Sequence, residues 1–301
     1  MTEQRWVRRS LRKIKQVLKA KEVHLSRQTI RRILRKHKIR PKSNVKRLAP
    51  NPHPDRDRQF QYIQRQRRAF ELLRWPIISV DTKKKELIGP FNNKGQVWCE
   101  QATDVYMHDF PSDAIGKAVP YGVYDVQHNE GFVYVGQSAD TPEFAVDAIA
   151  AWWQQIGSKR FPGATDVLIL ADSGGSNGYR FRRWKQQLQV KLADALGLTV
   201  TVAHYPTGAS KWNPIEHRLF SQISQTWAGT PLTSFDCVLD AIRSTTTTTG
   251  LKVEADLVES EYEKGLTVSD DEMASLALQR HAICPQWNYT ISPRNCEVIS
   301  R

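Results

Sequence analysis

The chain has 301 residues, of which 40% are hydrophobic and 9% aromatic, with a net charge of +13. That is enough apolar material for one large or two modest domains, which excludes wholesale disorder. Four scattered cysteines (Cys99, Cys237, Cys284, Cys296) with no C-x-x-C pair argue against a disulfide framework or a cysteine zinc site. No apolar run approaches the ~20 residues of a membrane helix, and Met1 to Lys21 lacks the apolar core of a signal peptide.

The charge is local. Residues 1–75 hold 24 Lys/Arg against 5 Asp/Glu, and the remainder holds 20 against 26. Such a block suits a polyanion, most simply nucleic acid, or a solvated basic arm. Within it, residues 10–40 predict two helices. Leu11, Ile14, Val17 and Leu18 recur at helical spacing, Val23-His24-Leu25 breaks the run, and Ser26 can cap a second helix. There Ile30, Ile33 and Leu34 form the expected buried stripe, with Arg27, Gln28, Arg31, Arg32, Arg35 and Lys36 on the other faces. A turn followed by a basic second helix suggests a helix-turn-helix that sets that helix in a DNA groove. Two helices make a thin core that a third would normally support, so further helical chain before Met1 is one expectation.

Prolines 41, 50, 52 and 54 mark a linker, and Asp57 to Arg74 predicts a helix with Phe60, Ile63, Phe70 and Leu73 inward. From Trp75 the texture changes to strands. Pro76–Asp81 is the first, and a turn at Asn92–Gly95 allows Gln96–Glu100 to pair back. Val119–Val126 and Gly131–Gln137 are further strands. Strand–helix alternation follows: a helix from Thr141 to about Ile156, a strand over Asp166–Asp172, a helix over Asn177–Leu196, a strand over Leu198–His204 and a helix over Trp212–Trp227. This order predicts a mixed α/β sheet covered by helices, the order of the ribonuclease-H-like fold. A helix from Ser234 is expected to stop at the β-branched run Thr245–Thr249. Trp287–Ile291 reads as a short strand or docked tail.

Three acids draw the pattern together. Asp81 ends one apolar strand, Asp172 ends another, and Glu216 opens a helix in Asn213-Pro214-Ile215-Glu216, where proline is tolerated in the first turn. Neighbouring strands end within ~5 Å of each other, and a helix on the sheet can bring Glu216 alongside. Carboxylates that close repel one another unless cations lie between them, and magnesium or manganese is the natural choice. Two such ions suit in-line phosphodiester displacement. Lys83, Lys84 and Lys85 follow Asp81, while Lys211 and Arg218 flank Glu216; all five are candidate phosphate contacts. Ser173-Gly174-Gly175-Ser176-Asn177-Gly178 reads as a slim turn that admits a bulky substrate to Asp172, since it lacks a P-loop ending.

The segments ISVDTKKKELIG, HDFP…GKAVPYGVYD, LILADSGGSNG, HYPTGASKWNPIEHRLF and TTTTTGLKV closely resemble the Rhodopirellula-type DDE transposases of ISAzo-type insertion sequences. His53–Asp57 and Trp287–Ile291 share in the resemblance, which spans nearly the whole chain. Asn213–Glu216 is more distantly similar to the last acidic motif of mariner-like transposases. The resemblance implies a ribonuclease-H-like catalytic domain with two divalent metals on a D, D, E triad of Asp81, Asp172 and Glu216. It further implies cleavage of double-stranded DNA at terminal inverted repeats, strand transfer into a target, a homo-oligomer in the DNA complex, and a bacterial cytoplasmic, nucleoid-associated location. The expected layout is a helix-turn-helix over 1–40, a basic linker and helix over 41–75, the catalytic domain over 76–230, and an extension packed on it over 231–301. An inactive DNA-binding remnant and a nuclease without strand transfer remain the alternatives. Among the other residues, Asp125 reads as a turn acid, His204 and His217 as structural histidines, Asp104, Asp109, Asp113 and Glu143 as surface acids, and Trp152-Trp153 as one core and one half-exposed indole.

Overall fold

The computed structural model describes residues 9–42 and 53–294. The middle of the predicted linker and Cys296 lie outside the described residues. Contacts divide the chain into two compact units, Met1–Pro50 and Asn51–Arg301.

In the first unit, α1 (Leu11–Lys19) and α2 (Arg27–Lys36) start at Ser10 and Ser26. Their hydroxyls accept hydrogen bonds from the amides of Lys13 and Thr29 at 3.2 and 3.0 Å, caps worth ~1 kcal/mol each. The predicted stripe of α2 is only partly covered. Ile30 is buried, Leu34 is half-buried and Ile33 is 41% exposed, because two short helices leave one side of their seam open.

The second unit begins with α3 (Arg56–Leu73), which ends where Arg74 turns left-handed at φ 57°. Its buried face is Gln59, Tyr62, Ile63 and Phe70. Leu73, expected inside, is 55% exposed, since the chain leaves the helix before that position reaches the sheet. Gln59 is instead fully buried: its amide exchanges hydrogen bonds with Asn288 at 2.7 and 2.6 Å and donates to the His204 carbonyl at 2.8 Å. Pairing on every side is what permits a buried amide.

Strands β1 (Ile77–Thr82), β2 (Glu86–Ile88), β3 (Gly116–Asp125) and β4 (Glu130–Gly136) come next. The hairpin partner expected at Gln96–Glu100 is absent. Those residues are exposed, Trp98 entirely, and their Val97 and Trp98 side chains are not covered by the sheet; β2 pairs with β3 instead. Helix α4 (Pro142–Trp152) passes through a π turn, Trp153–Gly157, into α5 (Ser158–Arg160). Trp152 and Trp153 are both buried, at 2% and 8% exposure, so neither indole is the half-exposed one expected; the helix widens where the second turns inward. After β5 (Asp166–Ala171), α6 (Arg182–Gln187) runs into a π turn over Leu188–Asp194 and leads to β6 (Thr199–His204). That helix starts later than Asn177, because residues 173–180 form a loop over the strand ends. Pro214 and Ile215 open the next helix, which widens into a π turn, Glu216–Phe220, and continues as α7 (Ser221–Thr226). Helix α8 (Phe235–Arg243) is capped by Ser234 and stops before the threonine run. Then come β7 (Lys252–Val258), α9 (Asp270–Ala274), β8 (Leu278–Arg280) and β9 (Asn288–Ile291).

Among the described residues these strands form one sheet in the order β7-β4-β3-β1-β5-β6-β9-β8, with β2 on β3. The central run β4-β3-β1-β5-β6, parallel except for β3, is the ribonuclease-H-like core within a mixed α/β fold. The C-terminal segment supplies an outer strand at each end, β7 parallel to β4 and β9 antiparallel to β6. Helices α4 and α6 cover one face, packing on Ile78, Val80, Tyr121 and Ile169. Helix α3 and the Pro214–Thr226 helix with α8 cover the other.

His204 ties β6 into this frame. It is fully buried, its Nδ1 2.8 Å from the Asp172 carbonyl and its Nε2 3.1 Å from the Tyr289 hydroxyl, which itself accepts from Trp184 at 2.8 Å. That set fixes the Nδ1–H tautomer and a structural role. Burial lowers its pKa to about 4, against an opposing pull from the Asp172 carbonyl. In the unfolded chain it protonates near ~6.5. Between these values the unfolded state binds more protons, so stability fully present above the upper value is lost as pH falls to the lower. Chemical denaturation from neutral pH downward should show a loss of up to about 3 kcal/mol from this group. The loss should flatten in His204→Asn; an unchanged acid slope would refute the assignment.

Candidate active site

Residues Val80 and Ala171 face each other across the parallel pair β1 and β5. The next residues, Asp81 and Asp172, therefore leave adjacent strand ends together. Asp81 is 7% exposed and its Oδ1 accepts from the Thr82 amide at 2.8 Å. Asp172 Oδ1 accepts from the Gly174 amide at 3.1 Å and from Asn177 Nδ2 at 3.2 Å. The loop that follows is slim: a β-carbon at Gly174 would meet nothing nearer than Asp172 Oδ2 at 4.0 Å, and Gly175 takes φ +66°.

Glu216 reaches the same edge through a polar clasp beneath it. Ser79 sits in the middle of an otherwise apolar strand and is fully buried. Its hydroxyl donates to Asn213 Oδ1 at 2.5 Å and accepts from the Ile215 amide at 3.0 Å. Asn213 Nδ2 in turn donates to the Val80 carbonyl at 3.1 Å. The first turn of the helix is thus indexed to β1 two residues before Asp81. Gly122, opposite Asp81 on β3, completes the fit. A β-carbon there would meet Ile215 Cδ1 at 2.7 Å and Phe220 Cε1 at 2.6 Å, and one at Gly131 would meet Leu219 at 2.6 Å. The two glycines form a trough in the sheet that lets the helix sit close enough for Glu216 to reach Asp81. The π turn begins at Glu216 itself, a distortion often found at functional sites.

The carboxylates feel one another. Burial raises the Asp81 pKa well above the usual range, and the Asp172 charge and a hydrogen bond with Glu216 push the same way. Asp172 is raised too, by burial and by Glu216. The nearest cations are paired mainly with other acids, although the Lys83 ammonium also feels the Glu216 charge. Lys83 turns inward, 7% exposed, 3.2 Å from Glu86 and 4.3 Å over the Trp227 ring, and burial lowers its pKa. Lys85 lies 3.5 Å from Asp140. Asn177 Oδ1, beside Asp172, is buried without a partner. Among the described residues no three His, Cys, Asp or Glu side chains stand ready-made as a metal cluster. Yet an all-oxygen donor set with excess negative charge and an orphan acceptor is what a hard divalent cation fits.

The other predicted residues fall into groups. Lys84 is 84% exposed near the acids, although 3.6 Å from Glu86. Lys211 and Arg218 are exposed on either side of Glu216, with the Lys211 ammonium 5.2 Å over the Trp212 ring. In the first unit Arg27, Gln28, Arg31, Arg32, Arg35 and Lys36 are all exposed. Asp125 caps the β3–β4 turn, accepting from the Gln127 and His128 amides at 2.8 and 3.1 Å. The His217 ring bonds the Lys211 carbonyl. Glu143 is half-buried between Arg183 and Lys191, which lower its pKa against the cost of burial. Sequence reading quoted Ser79, Gly122 and Asn213 within its motifs but gave them no role, and did not single out Asp140. The last accepts from Thr82 Oγ1 at 3.0 Å. A lone serine inside an apolar strand and a glycine inside another were the available signals.

Removing the clasp should cost stability. Ser79→Ala leaves Asn213 Oδ1 and the Ile215 amide unpaired and should cost about 1–3 kcal/mol in denaturant unfolding. Ser79→Thr, which keeps the hydroxyl, should restore much of that stability; equal loss in Ala and Thr would count against a hydrogen-bonded clasp. A second outcome concerns charge. The folded Asp81 carboxyl resists ionisation, so without metal the protein should lose stability as pH rises above the normal carboxyl range. In EDTA at neutral pH, Asp81→Asn should therefore melt higher than wild type, by about 2–4 °C per kcal/mol of relieved repulsion. Magnesium should raise the wild-type melting temperature and leave the variant's nearly unmoved.

No curated protein sequence matches the chain. Among solved structures it is similar to the Mos1 transposase paired-end complex with left transposon end, at 16% identity and a TM-score of 0.43 over 79% of this chain and 71% of that one. It is similar to the Mos1 strand transfer complex at 15% identity and a TM-score of 0.44, over 79% and 70%. The family model described as the Rhodopirellula transposase DDE domain matches residues 1–293, nearly the full length, and the chain belongs to that family of DDE transposases.

Proposed function

We propose that this protein cuts double-stranded DNA at the ends of an insertion sequence and joins the freed 3′ ends to a target, with Asp81, Asp172 and Glu216 as the catalytic and metal-holding residues. The observation that carries the reading is the register ending β1 and β5 on two carboxylates, with a third carboxylate clasped onto β1 beside them. Magnesium or manganese, as two ions held by these three residues, would supply Lewis-acid activation of a water or 3′-hydroxyl and charge relief at the leaving oxygen. The chain itself does the positioning. Two strand ends and a clamped helix hold the carboxylates before DNA arrives, so little reorganisation is left for the reaction. The slim 173–178 loop leaves room for a duplex at Asp172. Lys84, Lys211 and Arg218 neutralise phosphates on either side, whereas Lys83 serves inside the fold, holding Glu86 and Trp227.

The first unit supplies DNA affinity. Helix α2 presents Arg27, Gln28, Arg31, Arg32, Arg35 and Lys36 to solvent, the composition of a helix that reads a groove or follows its phosphates. Joining two element ends in one complex requires at least two active sites, so a homo-oligomer on DNA is expected. No helix among the described residues is long and apolar enough to cross a membrane.

The test uses the DNA that flanks the gene and contains its inverted repeats. With magnesium, the protein should nick those ends and join a pre-cleaved 3′-hydroxyl end to plasmid. Asp81→Asn and Glu216→Gln should each lower both steps by roughly a thousandfold or more, while filter binding changes little. Cutting without joining would indicate a nuclease, and full activity in Asp81→Asn would overturn the reading.

A further inference from the structure

Two cavities meet at Tyr179 and Arg180. The first, about 280 Å³, runs from Asp172 between the 173–180 loop and the turn at Pro206–Ser210. The second, about 660 Å³, lies between α6 and β8. Tyr179 and Arg180 line both, so the two cavities adjoin, and together they mark a trough that starts at Asp172 and ends at the edge strand β8.

Its lining is strongly cationic. Arg180, Arg182, Lys185 and Arg280 face the second cavity, and no Asp or Glu does. Lys185 is 4% exposed, its ammonium 2.5 Å from the Tyr179 carbonyl and 5.6 Å over the Tyr289 ring. Burial lowers its pKa to about 8, and Arg280 and Arg182 push it further down. Among the described residues Arg280 donates to the Pro285 carbonyl, at 3.0 Å. Arg182 pairs with Asp270 at 2.6 Å, but that carboxylate is 90% exposed. Like charges crowded around a partly buried lysine are a standing electrostatic cost that a polyanion would relieve. An elongated trough with cations along it, open at one end to Asp172, fits a linear polyanion better than a compact phosphate. Met273, Leu276 and Leu278 on the far wall offer an apolar surface to sugars.

We propose that this trough is the path of the DNA strand leaving the scissile phosphodiester, with Arg180 and Arg280 meeting its phosphates and the buried Lys185 adding its charge from beneath. The assignment rests on the transposase reading and adds α6 and β8 to the DNA-binding surface.

The test is fluorescence anisotropy with a labelled duplex carrying a 3′ single-stranded extension, titrated in EDTA across a range of KCl. The full-length protein is compared with Arg180→Glu/Arg280→Glu and with Lys252→Glu, an exposed charge on β7 at the opposite end of the sheet. Both arginines are exposed, so the fold should survive, as thermal unfolding will report; Arg180→Gln/Arg280→Gln serves as a milder second pair. The double variants should bind at least about tenfold more weakly than Lys252→Glu, with the log–log salt slope reduced by about one to two. Affinity and slope equal to those of Lys252→Glu would overturn the proposal. Binding is read without metal and cleavage with it. Absent cleavage by the wild type therefore counts against the transposase reading, whereas unchanged binding in the double variants counts against the trough alone.

Discussion

Ser79 carries a hydroxyl into the middle of a buried strand, where an unpaired polar atom costs ~1–3 kcal/mol. Its partners come from far along the chain, Asn213 Oδ1 and the Ile215 amide. Satisfying that one atom fixes where the Pro214–Thr226 helix begins. It thereby fixes Glu216, three residues beyond Asn213, against Asp81, two residues beyond Ser79. The glycines at 122 and 131 make the same placement sterically possible, since side chains there would lift the helix off the sheet. Hydrogen bonding selects the register and the glycines set the depth.

That placement works against the folded state electrostatically. Three carboxylates are gathered at a strand end where burial already penalises charge. The nearby cations make their direct contacts elsewhere: Lys83 bonds Glu86 and lies over Trp227, reaching Glu216 only through its charge, and Lys85 lies against Asp140. A lysine bridging the acids would relieve the repulsion and would also fill the place a divalent cation needs. Concentrated uncompensated charge of this kind is characteristic of functional sites. The cationic cavity around Lys185 is its counterpart of opposite sign, and it adjoins the cavity at Asp172 through Tyr179 and Arg180.

The C-terminal segment is part of the sheet. Strand β7 extends the β4 edge, and β9 covers β6, bringing Tyr289 to His204 and Asn288 to Gln59. His204 in turn holds the Asp172 carbonyl, so the segment buttresses a reacting strand from behind. At the start of the same unit, the His53 ring packs 4.6 Å from Trp287, tying the entry to α3 to the same strand.

Much of this was legible in the residues themselves. The apolar runs ending in Asp81 and Asp172, the Ser26 and Ser234 caps, the glycine loop and the Pro214 helix start are local patterns, and local backbone preference determines them. So is the segregation of positive charge into residues 1–75. What the chain's order could not decide was contact between distant segments. Gln59 is buried because Asn288 meets it, and Leu73 is exposed because the helix ends short of the sheet. Lys83 points inward because Trp227 and Glu86 lie beneath it, although three adjacent lysines look alike in a row of letters. Sequence alone determined the elements and the three acids at their ends, because periodicity and capping act over a few residues. Only the tertiary structure decided which polar atoms are paired, which cations are buried and which exposed, and how near Glu216 comes to Asp81, because those depend on burial and on partners distant in the chain.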